Sequence, residues 1–318
     1  MESNSARPRL THSGVRKSSL PIYVLITPAR NEAAYIERVI QSVVWQTVLP
    51  RKWIIVSDGS TDSTDEIAKK YATEYDWIDV LRMPEHRDRQ FAAKVHCFKA
   101  GYEKVRDMEY DIIGNLDADL SFDKDYFEFL LSKFSEYPDL GVAGTPFVED
   151  SNWSYDYRFT NIEHVSGACQ LFRRECFEAI DGYTPIKGGG IDWVAVTTAR
   201  MKGWKTRTFT EKTIFHHRKV GTGRGNILAA RLRDGREAYY LGSHPLWELL
   251  RVVYQMRNKP YVVGALIRFI GYIFAFFQRT KRPVSPELVK FYRREQMQRL
   301  TRLIVHIFGK TSKHLKNI

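Results

Sequence analysis

The chain has 318 residues, 43% of them hydrophobic and 27% charged. That is enough apolar material for a substantial core in one large domain with an appendage or in two domains, and it excludes a disordered polymer. The formal charge of +12 is segregated: residues 279–318 carry 11 Lys and Arg against two Glu, the first 19 carry four against one, and the stretch between is neutral. Such tails want an anionic surface, whereas three cysteines with no Cys-x-x-Cys pair exclude a disulfide framework or a zinc site and fit a reducing, cytosolic setting.

Residues 1–19 are polar and basic, lack the apolar run of a secretory signal, and read as disordered. From residue 22 the pattern becomes strand, loop, helix, repeated. A buried strand over 22–27 runs into Pro28-Ala29-Arg30-Asn31-Glu32, and a helix over 33–46 follows, with Ile36, Val39, Ile40 and Val43 at helical spacing. A second strand over 53–57 opens into Asp58-Gly59-Ser60-Thr61-Asp62 before a helix to residue 75, and a third, over 78–82, precedes a helix over 90–105. The fourth, over 111–116, ends in two carboxylates one residue apart, Asp117 and Asp119.

Strands alternating with helices predict a parallel sheet whose ligands gather at the carboxyl ends of the strands. Three polar loops sit at such ends. Asp117 and Asp119 can turn toward one point, where a hard divalent cation such as Mg²⁺ or Mn²⁺ wants oxygen ligands. The competing reading makes them caps of a helix over 123–137 and makes 58–62 a turn followed by an N-cap. No Gly-x-Gly-x-x-Gly follows the first strand, which argues against a dinucleotide-dependent oxidoreductase.

Further along, residues 140–144 read as a strand. Trp153, Tyr155, Tyr157 and Phe159 then alternate with polar residues, as an edge strand or a sugar-stacking platform would. A strand over 167–172 feeds a helix over 174–180. Gly188, Gly189 and Gly190 make an open loop before Asp192, which stands either as an N-cap or as a chemical group at the start of a helix over 193–201. A strand over 206–215 leads to His216 and His217. Their side chains point to opposite faces, so at most one enters a site. Arg218, Lys219 and Arg224 among glycines suit an anion or form a solvated basic loop.

These segments together resemble a family 2 glycosyltransferase of the GT-A fold. The resemblance is carried in order by residues 27–32 (Thr-Pro-Ala-Arg-Asn-Glu), 56–62 (Val-Ser-Asp-Gly-Ser-Thr-Asp), Ala92-Ala93-Lys94 with Lys99-Ala100-Gly101, and 115–119 (Asn-Leu-Asp-Ala-Asp). Ser57 stands where many relatives have a second aspartate. The resemblance implies an α/β, Rossmann-like, mostly parallel sheet forming a catalytic domain over 20–225, with a nucleotide-binding half over 20–119 and an acceptor half over 120–225. It implies that Pro28, Ala29, Arg30, Glu32, Asp58, Lys94 and Asp117 bind the nucleotide, and that Asp119, with His216, holds Mg²⁺ or Mn²⁺. It implies Asp192 as the catalytic base, with Ile191 replacing a frequent glutamate, and Arg218 and Arg224 as a lid on the donor diphosphate.

Residues 226–318 form a helical, basic and apolar region. The run over 261–277 is almost unbroken in apolarity, yet it is short of the about 20 residues of a span and holds Arg268, which costs roughly 2.5 kcal/mol or more at a bilayer midplane. It fits a helix lying in the membrane interface, or one packed on the catalytic domain or a twin subunit of a homo-oligomer. A basic amphipathic helix is predicted over 286–308. No nucleic-acid-binding fold accompanies the basic tail.

The expectation is therefore a metal-dependent, inverting transferase moving sugar from a nucleotide-sugar, UDP-linked for preference, to a hydroxyl of a glycan or lipid-linked acceptor. It would work peripherally or monotopically at the cytoplasmic face of the cell membrane. The alternatives are a polyprenyl-phosphate glycosyltransferase and a non-catalytic nucleotide-sugar-binding protein.

Overall fold

The computed structural model describes residues 20–85, 91–149, 161–218, 227–257 and 260–315, with backbone alone for 306–315. Arg224, the aromatic run 153–159 and the first 19 residues lie outside the described residues. The first half alternates as its periodicity dictates: β1 (Tyr23–Ala29), α1 (Ile36–Val44), β2 (Lys52–Ser57), α2 (Thr64–Glu74), β3 (Ile78–Arg82), α3 (Phe91–Val105) and β4 (Ile112–Leu116). Then come β5 (Leu120–Ser121), α4 (Tyr126–Glu136), β6 (Leu140–Gly144), β7 (Phe147–Val148), β8 (Cys169–Arg173), α5 (Arg174–Ala179) and α6 (Ile191–Met201). The two short strands β9 (Lys205–Thr208) and β10 (Ile214–His216) follow. The single strand expected over 206–215 is thus two strands, joined by a turn, which enter different sheets.

Seven strands form one sheet in the order β3-β2-β1-β4-β8-β6-β9. β1, β2, β3 and β4 run parallel, but β8 is antiparallel to both β4 and β6, so the sheet is mixed. Each central strand is buried on both faces, as a sheet covered by helices requires. One apolar cluster, on the α1, α2 and α4 side, contains Leu25, Val39, Trp53 and Phe127; the other, on the α3, α5 and α6 side, contains Ile26, Phe98, Phe172 and Val196. Cys97, Cys169 and Cys176 are free and buried, and burial pushes each thiol up to about 12, so they serve as small apolar core groups.

A second sheet of three short strands, in the order β5-β10-β7, matters more for the site. His216 pairs with Leu120 and Phe215 with Val148, which brings His216 beside Asp119 and Glu149.

The C-terminal region is four helices, α7 (Ile227–Tyr240), α8 (Pro245–Gln255), α9 (Tyr261–Phe277) and α10 (Pro286–Leu315). α7 and α9 cross at glycines: a Cβ on Gly235 would lie 1.9 Å from the Arg268 carbonyl oxygen, and one on Gly271 would lie 2.2 Å from that of Leu232. Arg268, read from the sequence as a charge that a bilayer would have to accommodate, instead faces inward at 4% exposure. It pairs with the fully buried Glu248 at 2.6 Å and lies 3.8 Å from Asp234. The opposite face of α9, with Val263, Leu266, Ile270, Phe274 and Phe277, is exposed. Among the described residues no helix is long and apolar enough to cross a membrane.

The helices rest on the α/β body through a two-bonded ion pair, Arg200 to Glu295 at 2.8 and 3.0 Å, and through Trp193 against Tyr292 at 4.4 Å.

Candidate functional site

The polar loops converge at the carboxyl edge of the large sheet. Those after β1 and β2 are stitched together: Asp58 N–H donates to the Ala29 carbonyl at 2.8 Å, Asn31 N–H to Ser60 Oγ at 3.1 Å and Thr61 N–H to Asn31 Oδ1 at 2.8 Å. Asn31 takes the left-handed backbone, φ 54°, that asparagine tolerates better than most residues. Arg30 Nη1 then lies 3.4 Å from Asp58 Oδ2. Ser57 donates to Ser60 Oγ at 3.0 Å, which gives that substitution a local role. Pro28 is half-buried, and the Ala29 side chain belongs to the core while its carbonyl takes the Asp58 amide.

The two carboxylates of 117–119 do different work, and neither caps α4, whose N-cap is Asp125. Asp117 is paired with Lys94, which also donates to the Gly167 carbonyl at 3.2 Å. Asp119 is 8% exposed, with His216 Nε2 at 3.6 Å from Oδ1 and Arg218 Nε at 3.7 Å from Oδ2. Burial, and after it the neighbouring Asp117, raise the Asp119 carboxyl above its ordinary range. Arg218 also pairs with Glu32, so one guanidinium joins the β1 loop to Asp119.

Of the two histidines, His216 enters the site. His217 turns away, with Nε2 2.8 Å from Ser121 Oγ and Nδ1 3.3 Å from Arg38 Nη1.

Asp192 lies in the first turn of α6, whose N-cap is Gly190 at φ 82°, so the cap reading of Asp192 fails. Its Oδ2 accepts the Gly167 N–H at 3.1 Å, and Oδ1 takes no hydrogen bond from the described residues. Lys94, Asp117, Asp192 and His216 line one cleft of about 280 Å³ with Gln170 and Tyr183. Gln170 is fixed at its floor, donating to the Val165 carbonyl at 2.8 Å and accepting from the Tyr183 hydroxyl at 2.6 Å. Arg30, Glu32 and Asp58 stand outside that lining, with Arg30 paired to Asp58 and Glu32 joined to Asp119 through Arg218.

Sequence reasoning missed two members. Glu149 is buried, with Oε1 4.0 Å from His216 Nδ1, and only the pairing of β10 with β7 brings it there. Tyr183 lines the cleft, and burial, then Asp192 and Asp117, hold its phenol well above its ordinary value, so it stays a donor.

A divalent cation would find Asp119 and His216 Nε2 facing each other beside a buried imidazole whose Nδ1 has no hydrogen-bond partner. Two protein ligands suit Mg²⁺ or Mn²⁺ that completes its shell with phosphate oxygens and water. Among the described residues no group of three His, Cys, Asp or Glu forms a closed metal cage.

A mostly parallel sheet flanked by helices, with a polar cleft at its carboxyl edge, is the architecture of the GT-A fold. Solved structures match it: the mannosyltransferase PcManGT of Pyrobaculum calidifontis, in complex with GDP-Man and Mn²⁺, has TM-score 0.54 at 16% identity over 92% of this chain and 89% of that one. Staphylococcus aureus TarS 1-349 in complex with UDP-GlcNAc gives 0.53 at 13% identity over 88% and 92%. The model of glycosyl transferase family 2 matches residues 24–181, which form a domain of that family. The glycosyltransferase AglE of Haloferax volcanii is 27% identical over 74% of this chain and 77% of its own length. The poly-beta-1,6-N-acetyl-D-glucosamine synthase of Staphylococcus aureus is 29% identical over 43% of this chain, and the chain spans only 31% of that synthase.

Proposed function

We propose that this enzyme transfers a sugar from a nucleotide-sugar, UDP-linked for preference, to a hydroxyl of a glycan or lipid-linked acceptor with inversion, in a cation-dependent reaction. The observation that carries the reading is the cleft itself, where Asp192, with one oxygen free, lies across from Asp117, Lys94 and His216. Arg30 and Asp58 would take the base and ribose. Lys94 and Arg218, each now paired with a carboxylate, would exchange that partner for donor oxygens. Asp119 and His216 would hold Mg²⁺ or Mn²⁺, which when bound neutralises charge on the departing diphosphate.

Asp192 Oδ2 is held by the Gly167 amide, which orients the carboxylate, and Oδ1 would accept the acceptor's hydroxyl proton as the bond to the anomeric carbon forms. Nucleotide-sugar complexes of the structural neighbours and the polysaccharide synthases among the relatives agree with this reading.

The exposed apolar face of α9 and the basic C-terminal segment support peripheral attachment at the cytoplasmic face of a membrane, with lipid-linked acceptors presented there. Asp192→Asn is the test. It is expected to lower kcat by about 10²- to 10⁴-fold while leaving donor affinity intact. Near-normal turnover would instead indicate an acceptor, such as a polyprenyl phosphate, that needs no base.

A further inference from the structure

A second cavity, of about 690 Å³, lies away from the candidate cleft, among the C-terminal helices. Its wall is made by Tyr239 of α7, Arg279 and Arg282 of the α9–α10 connection, and Val289, Lys290 and Arg293 of α10. Four cations face it and no carboxylate lines it. None of the four is ion-paired among the described residues, although most cations on the catalytic body are.

The two inner arginines are already oriented. Arg282 lies over the Tyr239 ring at 4.7 Å and donates Nε to the Tyr239 carbonyl at 3.3 Å, while Arg293 donates Nε to the Gly242 carbonyl at 3.0 Å. In each case the bond uses Nε and leaves the two terminal nitrogens as an unoccupied fork, the geometry that takes two phosphate oxygens at once. Arg279 stands just past the end of α9 in the left-handed backbone region, φ 47°, where a glycine is usual. α10 starts at Pro286 on the same wall, so the positive end of its dipole adds to the field.

We infer that this cavity binds the phosphate of an anionic lipid headgroup. Lipid, as opposed to a soluble phosphate, follows from what adjoins it. Phe276 meets the Tyr239 ring edge-on at 6.1 Å, and Phe277, 76% exposed, ends the outward apolar stripe of α9 two residues before Arg279. A phosphate seated among the arginines leaves its acyl chains to run along Phe277, Phe274 and Ile270. The site would hold the body at a fixed height and tilt, since α10 is tied to α6 by Arg200 and Glu295.

The inference rests on the membrane reading of α9, and co-sedimentation of the full chain with vesicles separates the two. Vesicles of phosphatidylcholine alone and with a fraction of phosphatidic acid are compared for wild type, Arg279→Gln/Lys290→Gln, and Lys281→Gln/Arg294→Gln. The last pair removes the same charge from exposed tail positions outside the cavity. With each basic residue near an anionic surface contributing about a factor of five, loss of the cavity pair is expected to weaken binding to phosphatidic acid vesicles by roughly thirtyfold or more. The tail pair is expected to weaken it less. All three proteins should keep the same melting temperature and donor affinity.

Equal losses for the two pairs would mean diffuse charge attraction and overturn the site. Failure of wild type to bind any vesicle would overturn the membrane reading on which it rests. Saturable binding of inorganic phosphate at the cavity without vesicle binding would overturn the lipid assignment.

Discussion

The sharpest division at the site is between two aspartates a single residue apart. Asp117 faces Lys94 across the cleft, and Asp119 faces His216 and Arg218 behind it. Because burial raises the Asp119 carboxyl, the native state binds a proton more tightly than the unfolded chain does. Stability of the cation-free protein therefore falls as pH rises from the ordinary carboxyl value, 3.8, through the raised one. Asp119→Asn is expected to remove that slope and to raise the melting temperature at neutral pH, and to lose the stabilisation that Mn²⁺ gives the wild type. Melting curves across pH, with and without cation, check both halves.

At this scale the sequence was informative where a residue ends a strand. Asp58 and Asp119, just past β2 and β4, occupy such positions, whereas Asp192 stands in the first turn of α6 and is marked only by the glycine loop before it. Glu149 was not legible, because a two-residue strand, β7, brings it into place and no local motif marks it. The Ala29 side chain lies in the core, so any contact it makes with a nucleotide would come from its backbone.

At the scale of elements, alternation of strand and helix made the first half of the sheet readable, but direction was not encoded. The apolar run at β8 suits an antiparallel strand as well as a parallel one. The run over 206–215 breaks in two because residues 209–213 turn before β10 joins the small sheet. In α9 apolarity was plain, but its inward face was not, since a buried Arg268 needs a partner 20 residues away, Glu248.

That pair carries a stability expectation. Glu248→Ala leaves Arg268 buried beside Arg251, whose guanidinium is already lowered by Arg268 first and by burial second, with Asp234 the remaining carboxylate. A loss of about 3–5 kcal/mol is expected in urea unfolding of the C-terminal helices, and replacing both partners by apolar residues should recover much of it. Gly235→Ala, which would thrust a methyl onto the Arg268 carbonyl, is expected to cost at least about 1–3 kcal/mol by forcing α7 and α9 apart. Limited proteolysis between α7 and α9 would reveal that separation.

Over the whole molecule, a mildly acidic α/β body carries a strongly basic C-terminal extension. The extension does not hang free. Leu241 and Leu288 share an apolar cluster with Ile191, next to Asp192, and Tyr240 approaches Gly189, with its hydroxyl 3.4 Å from that carbonyl. The extension and the position of the Asp192 carboxylate are thus mechanically connected. Removing residues 227–318 is accordingly expected to destabilise the loop that holds Asp192 as well as to abolish vesicle binding.

The central claim is that acidic groups from separate loops act together on one cation-bound diphosphate. Isothermal titration with UDP-sugars and Mn²⁺ tests it most directly, run on wild type, Asp119→Asn and Asp192→Asn alongside a transfer assay. The account expects wild type to bind donor only with cation, Asp119→Asn to lose that binding, and Asp192→Asn to keep it while losing transfer. Donor binding that is indifferent to both Mn²⁺ and Asp119 would contradict it.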